Sequence, residues 1–104
     1  MVQINWTHQA VSDLKNIAEY ISRDSVRYAK LQVARIKART KILKSHSKIG
    51  RIVPELEKPE IRELIEGNYR IIYKIVSQIR IDILTIHHSA MDLSGKEMKP
   101  EKKK

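Results

Sequence analysis

One arginine and a terminal pair of histidines are the side chains here with the clearest chemical capacity. Arg70 stands inside the run GNYRIIYKI, and His87-His88 close ILTIHH. A guanidinium binds anions, and an imidazole moves a proton near neutral pH. Brought together on a sheet, they are the one candidate chemistry in the chain. Glu55, with Glu57, lies in a region that can add a carboxylate to the same face. The simpler reading of a histidine at a strand end is an exposed or hydrogen-bonded polar residue. His8 and His46 are remote from the pair, and there are no cysteines, so no metal-ligand spacing is present. Gly-rich phosphate loops, serine-nucleophile motifs and paired-carboxylate signatures are absent as well. No cofactor is expected.

Arg70 and the histidines need strands to position them. Ile61–Glu66, Asn68–Val76 and Ile79–His88 are rich in Ile and Tyr, which suit a pleated surface. Gly67-Asn68 and Ser77-Gln78 break the run, so the strands are antiparallel neighbours. In the middle strand Tyr69, Ile71, Tyr73 and Ile75 form the more apolar face, directed at helices; Arg70 and Lys74 fall on the open face. Matching the apolar sets of the last two strands requires equal-parity pairing through a three-residue loop between Val76 and Arg80. Arg70 then shares its face with His88. A two-residue turn at Ser77-Gln78 puts His87 there instead.

Earlier in the chain, Val2–Trp6 reads as a short strand and Thr7 as an N-cap. Ala10, Leu14, Ile17, Ala18 and Ile21 make one helical stripe ending near Arg23. Asp24 or Ser25 caps a second helix, Val26–Ser45, whose Lys30, Lys37, Lys41 and Lys44 share a narrow face. That row reads as a solvated face. Arg35 and Arg39, between two apolar flanks, need acceptors or an exit to solvent. Gly50 is expected in a left-handed conformation near the helix end, and Arg51–Leu56 as an edge strand interrupted by Pro54. The order β-α-α-β-β-β-β predicts an α+β fold, a helical hairpin against a mainly antiparallel sheet. Residues 1–95 form one domain; the basic tail 96–104 is expected to be disordered.

The chain has 104 residues and a net charge of +9. The tail contributes +3 of this, and Ser25–Val53 holds nine basic residues and no acidic one. Pro54–Asn68 reverses sign, with five Glu against one Lys and one Arg. Such asymmetry points to a polyanion or an acidic protein partner. No apolar run approaches the ~20 residues that span a bilayer, and the N-terminus lacks a signal-peptide pattern. A cytoplasmic protein without a membrane partner is expected.

Four segments in order, GRIVPEL (50–56), IREL (61–64), GNYRIIYKI (67–75) and ILTIHHSA (83–90), resemble the RelE/ParE toxin superfamily. The likeness is closest to the ParE-like plasmid-stabilisation branch. AVSDLKNIAEYI (10–21) resembles the family's first helix, so the likeness covers about residues 1–95. It implies the toxin of a type II toxin–antitoxin pair, neutralised by a cognate antitoxin in a hetero-oligomer. ParE-like members poison DNA gyrase by binding. RelE-like members instead cut ribosome-bound mRNA without a metal, using a base, cations and an acid. In that alternative Arg70 matches the phosphate-binding arginine, His88 the terminal acid/base, and Glu55 the carboxylate base. Met91 stands where many relatives carry an arginine, and a thioether cannot stabilise phosphorane charge. Gyrase binding is therefore the expected activity. A third reading is an inactive member that only binds antitoxin.

Overall fold

The computed structural model describes residues 2–89. Met91 and the basic tail 96–104 lie outside the described residues. The elements are β1 (Gln3–Trp6), α1 (His8–Ser22), α2 (Val26–Thr40), β2 (Arg51–Ile52), β3 (Ile61–Glu66), β4 (Tyr69–Ser77) and β5 (Arg80–His88). A 3-10 turn, Lys41–Lys44, prolongs α2. The α+β order expected from the sequence is the order found. The sheet runs β1-β5-β4-β3-β2, with β1 parallel to β5 and every other pair antiparallel.

Local chemistry sets the helix starts. Thr7 Oγ1 accepts from Ala10 N at 3.1 Å, and Ser25 Oγ accepts from Tyr28 N at 3.0 Å. Each hydroxyl satisfies an amide that has no partner within its helix. The hairpin packs its apolar stripes on one sheet face, where Ala10, Leu14, Ile36, Ile71, Tyr73 and Ile83 join one core. The stripe of α2 is less apolar than its sequence pattern, because Gln32 and Thr40 are buried in it beside Ala29 and Ile36. Arg35 takes the exit to solvent, and Arg39 leans over β3 to donate to Ile65 O at 3.4 Å. Among the described residues no helix is long and apolar enough to cross a membrane.

The second sheet face is not open. Residues 53–60 curl over it, and Val53 and Leu56 pack on Ile61, Ile72 and Leu84 as a second, smaller core. This corrects two expectations. The edge strand is only Arg51–Ile52, because Pro54 has no N–H for the ladder. The chain then turns tightly, with Leu56 N and Glu57 N both donating to Val53 O and Glu57 at φ 53°. Arg70, predicted on an exposed face, is consequently only 4% exposed.

Two glycines are required for different reasons. Gly67 holds φ 59° in the two-residue β3–β4 turn, a backbone state that L side chains disfavour. Gly50 is not at positive φ; its requirement is space. A Cβ there would meet Glu63 O at 2.5 Å and the Tyr73 hydroxyl at 2.7 Å. That hydroxyl accepts from Gly50 N at 3.0 Å and donates to Ser47 O at 2.8 Å, fixing the segment that leads into β2. Gly50→Ala is expected to cost about 1–3 kcal/mol by overpacking, read as a shift in the urea midpoint.

Burial raises the Tyr73 pKa above its ordinary 10.0, against an opposing hydrogen bond from the Gly50 amide. A phenol whose folded pKa is raised stabilises the fold fully below pH 10 and loses that contribution as pH climbs through the folded value. Melting temperature is therefore expected to fall above pH 10. In Tyr73→Phe, which is less stable at neutral pH, that alkaline decline is shallower.

Candidate functional site

Arg70 projects from β4 onto the loop-covered face, and the register decides what surrounds it. The Gly67-Asn68 turn sets Ile65 opposite Arg70 and Glu63 opposite Ile72, so Glu63 and Arg70 share a face. Between β4 and β5 the equal-parity register holds at Ile75↔Ile81 and Tyr73↔Ile83, closed by a turn at Gln78-Ile79 with Val76 as an extra residue. Leu84 is then a second extra residue, and beyond it the parity flips. Arg70 stands opposite His87, and His88 stands opposite Tyr69. The expectation that His88 shares the face of Arg70 is thus corrected. A β-bulge, which sequence alternation does not announce, moves His87 there instead.

The guanidinium of Arg70 is held by two carboxylates. Its Nε donates to Glu63 Oε1 at 2.6 Å; Nη1 and Nη2 donate to Glu55 Oε2 and Oε1 at 2.7 and 2.8 Å. The Glu63 side chain is fully buried, and its second oxygen accepts from Arg51 Nε. Arg51, Glu63, Arg70 and Glu55 therefore form a linear network with no net charge. Hydrogen bonding by Glu55 raises the Arg70 pKa, outweighing the burial that opposes it. The bidentate fork on Glu55 is the geometry a phosphate would use. An anion reaching Arg70 must first displace that carboxylate.

His87 belongs to a separate chain of hydrogen bonds. Asp13 on α1 accepts from the Thr85 hydroxyl and, at 3.1 Å, from Ile86 N. The Thr85 proton goes to Asp13, so His87 Nε2–H, 3.1 Å from Thr85 Oγ1, is the donor in that contact. The network ties α1 to β5 just past the bulge. His88 instead sets its ring edge-on to Tyr69, with centroids 5.9 Å apart. The structure brings Arg70 and Glu55 into contact and leaves His88 on the opposite face. Glu63 was not singled out from sequence, although the Gly67-Asn68 turn that fixes its parity with Arg70 is a signal that could have found it. Asp13 and Thr85 carried no signal of that kind. Among the described residues no group of three or more His, Asp or Glu side chains is arranged to hold a metal ion.

A different feature lies along the helical hairpin. Two contiguous hollows, of about 630 and 470 Å³, run between α1 and α2 from β1 toward the hairpin tip. Ile4, Trp6, Val11 and Leu14 floor the first; Ala18 and Val33 continue into the second. Lys30, Lys37, Lys41 and Lys44, the row read from sequence as a solvated face, border this groove, with Lys15 on the α1 side. Among the described residues no acidic side chain lines the first hollow, and Glu19 is the one acidic side chain lining the second. An apolar channel with ammonium groups along its rim matches an amphipathic helix carrying acidic flanks.

Comparison with known proteins agrees with this architecture. No curated protein matches the sequence. A solved chain of the chromosomal ParDE toxin–antitoxin system from P. aeruginosa is 26% identical, with a TM-score of 0.70, covering 85% of this chain and 96% of that one. The sequence model of the ParE toxin of type II toxin–antitoxin systems, parDE, matches residues 4–93, from β1 through the histidine pair and beyond it. A helical hairpin over a five-stranded mixed sheet, matched across nearly its whole length, places the chain in the ParE toxin family of type II toxin–antitoxin systems.

Proposed function

We propose that this chain inhibits growth by binding DNA gyrase, without chemistry of its own, and that a cognate antitoxin neutralises it by laying an acidic amphipathic helix in the lysine-rimmed groove. The observation that carries the first half is the state of Arg70. Its three guanidinium nitrogens already donate to Glu55 and Glu63, and the side chain is almost wholly buried. An arginine serving a scissile phosphate has to be accessible and short of acceptors; this one is a structural tie. The cytoplasm is the compartment in which such a toxin meets its target. The groove supports the second half through its apolar floor and basic rim.

The competing reading is a ribosome-dependent mRNA endoribonuclease using Arg70, Glu55 and a histidine. It requires Arg70 to exchange Glu55 for phosphate, and a histidine to supply the acid: His87, which stands opposite Arg70 but contacts Thr85, or His88 from the far face of the sheet. Expression in bacteria without antitoxin separates the readings. Growth arrest with relaxed plasmid topoisomers and intact transcripts is the expected result. Cleaved ribosome-bound mRNA with normal supercoiling would falsify the gyrase reading and return Arg70 to catalysis.

A further inference from the structure

Three of the four tyrosines in the chain gather away from the groove, at the hairpin tip. Tyr20 on α1 is 67% exposed and Tyr28 on α2 is 48% exposed. The Tyr28 hydroxyl donates to Gln32 Oε1 at 3.4 Å, and the Gln32 amide lies against Gly67 in the turn that leads into Tyr69 at the start of β4. Burial first, and then Tyr28 and Tyr20, raise the Tyr69 pKa. His88 closes the group with its edge-on contact to Tyr69, and Arg23 lies 5.7 Å over the Tyr20 ring. None of these residues lines the groove. Two exposed tyrosines beside an exposed arginine, with half-buried Tyr69 at their base, stand out in a chain with 5% aromatic residues. They are also the residue types that dominate protein interface hot spots.

We infer that this tyrosine cluster is the surface that engages the target protein, separate from the surface that receives the antitoxin. The inference rests on the gyrase reading above for the identity of the target. The patch is mixed in charge, with Glu19, Asp24 and Glu66 among Arg23 and Arg27, and that mixture favours a protein over a nucleic acid as occupant. Glu19 and Asp24 adjoin Tyr20 and Arg23 in the chain, and Glu66 pairs with Tyr69 across the β3–β4 hairpin. A phosphate backbone would meet those carboxylates. A protein surface offering an apolar pocket, carboxylates for Arg23 and carbonyls for the phenols is complementary to the mixture. Tyrosine supplies that contact area at small conformational cost, with two side-chain torsions per ring. The arrangement also explains how a groove-bound antitoxin blocks the target. The second hollow ends at Glu19, Ser22 and Val26, the chain neighbours of Tyr20 and Tyr28. A helix filling it borders the cluster and excludes a large partner while leaving the tyrosines uncontacted.

The test is the Tyr20→Ala/Tyr28→Ala double variant, with the melting temperature as control. Because the Tyr28 hydroxyl also donates to buried Gln32, Tyr20→Ala alone is the second variant and takes its place if the double variant melts early. Binding to purified gyrase should weaken by about 30-fold or more, and inhibition of supercoiling should fall in parallel. Affinity for the antitoxin should stay within about twofold. Wild-type gyrase inhibition by the double variant would overturn the assignment and leave the gyrase reading standing. If the unmodified toxin neither binds nor inhibits gyrase, that reading fails, and growth arrest becomes the readout for the surface. Loss of arrest with intact antitoxin binding then supports it; retained arrest overturns it. Tyrosine-dependent binding of a labelled oligothymidylate in the absence of gyrase would replace the protein partner with single-stranded nucleic acid and so overturn it too.

Discussion

Arg70→Met alone is expected to destabilise the protein by about 3–5 kcal/mol, because it leaves a buried carboxylate without its main partner. Glu63 is completely enclosed, and Arg51, whose side chain is 65% exposed, is the other cation it contacts. With Arg70 gone, Glu63 must stay charged in a poor environment or take up a proton, and either route weakens the fold. Pairing Arg70→Met with Glu63→Leu removes both buried charges and joins the apolar patch formed by Val53, Ile61, Ile72 and Leu84. Replacement of a buried ion pair by packed apolar groups is often neutral or stabilising. The double variant is therefore expected to recover most of the lost stability, with the recovery measured by chemical denaturation. Its activity then separates stability from chemistry. A binding toxin keeps its inhibition of supercoiling in the double variant. A ribonuclease that uses this guanidinium is dead in a folded protein.

The same network shows where the sequence was readable and where it was not. Period-2 alternation in β4 put Tyr69, Ile71 and Tyr73 toward the helices, and the structure has them there. The Thr7 and Ser25 caps and the two-residue Gly67-Asn68 turn are local chemistry, settled by neighbours in the chain. The burial of Arg70 is nonlocal. It follows from a proline that ends β2 after two residues and a tight turn that swings Glu55 back over the sheet. The Leu84 bulge is nonlocal as well. It lets β5 keep Ile81 and Ile83 under the helices and then return Ile86 to the same core while Asp13 binds the Thr85 hydroxyl and the Ile86 amide. An extra residue in a uniformly apolar strand leaves no trace in the pattern, so the choice between His87 and His88 turned on a feature invisible to alternation. The lysine row was visible from sequence, and its four side chains are exposed as expected; that it borders a hollow was not visible. Ile4 and Trp6 of β1 floor the hollow beside it, a contact between distant segments.

That groove carries the second large expected effect. Val11, 53% exposed on the first turns of α1, lines the first hollow near Lys15. Val11→Asp adds a carboxylate near a helix N-terminus, where the helix dipole tolerates it, so folding should be unaffected. Against an acidic antitoxin helix the same change removes apolar contact and opposes like charge. Affinity is expected to fall about 100-fold, mainly through faster dissociation, as for truncation of a buried interface anchor. Lys37→Ala with Lys41→Ala acts on the rim and should behave differently. Association slows several-fold and loses much of its salt dependence, while dissociation changes little. Biolayer measurements against the antitoxin at two ionic strengths distinguish the two patterns. In cells the Val11→Asp toxin should escape antitoxin rescue yet remain as toxic as the parent, because the tyrosines at the hairpin tip are untouched. Full rescue of that variant by the antitoxin would mean that the groove is not where neutralisation occurs.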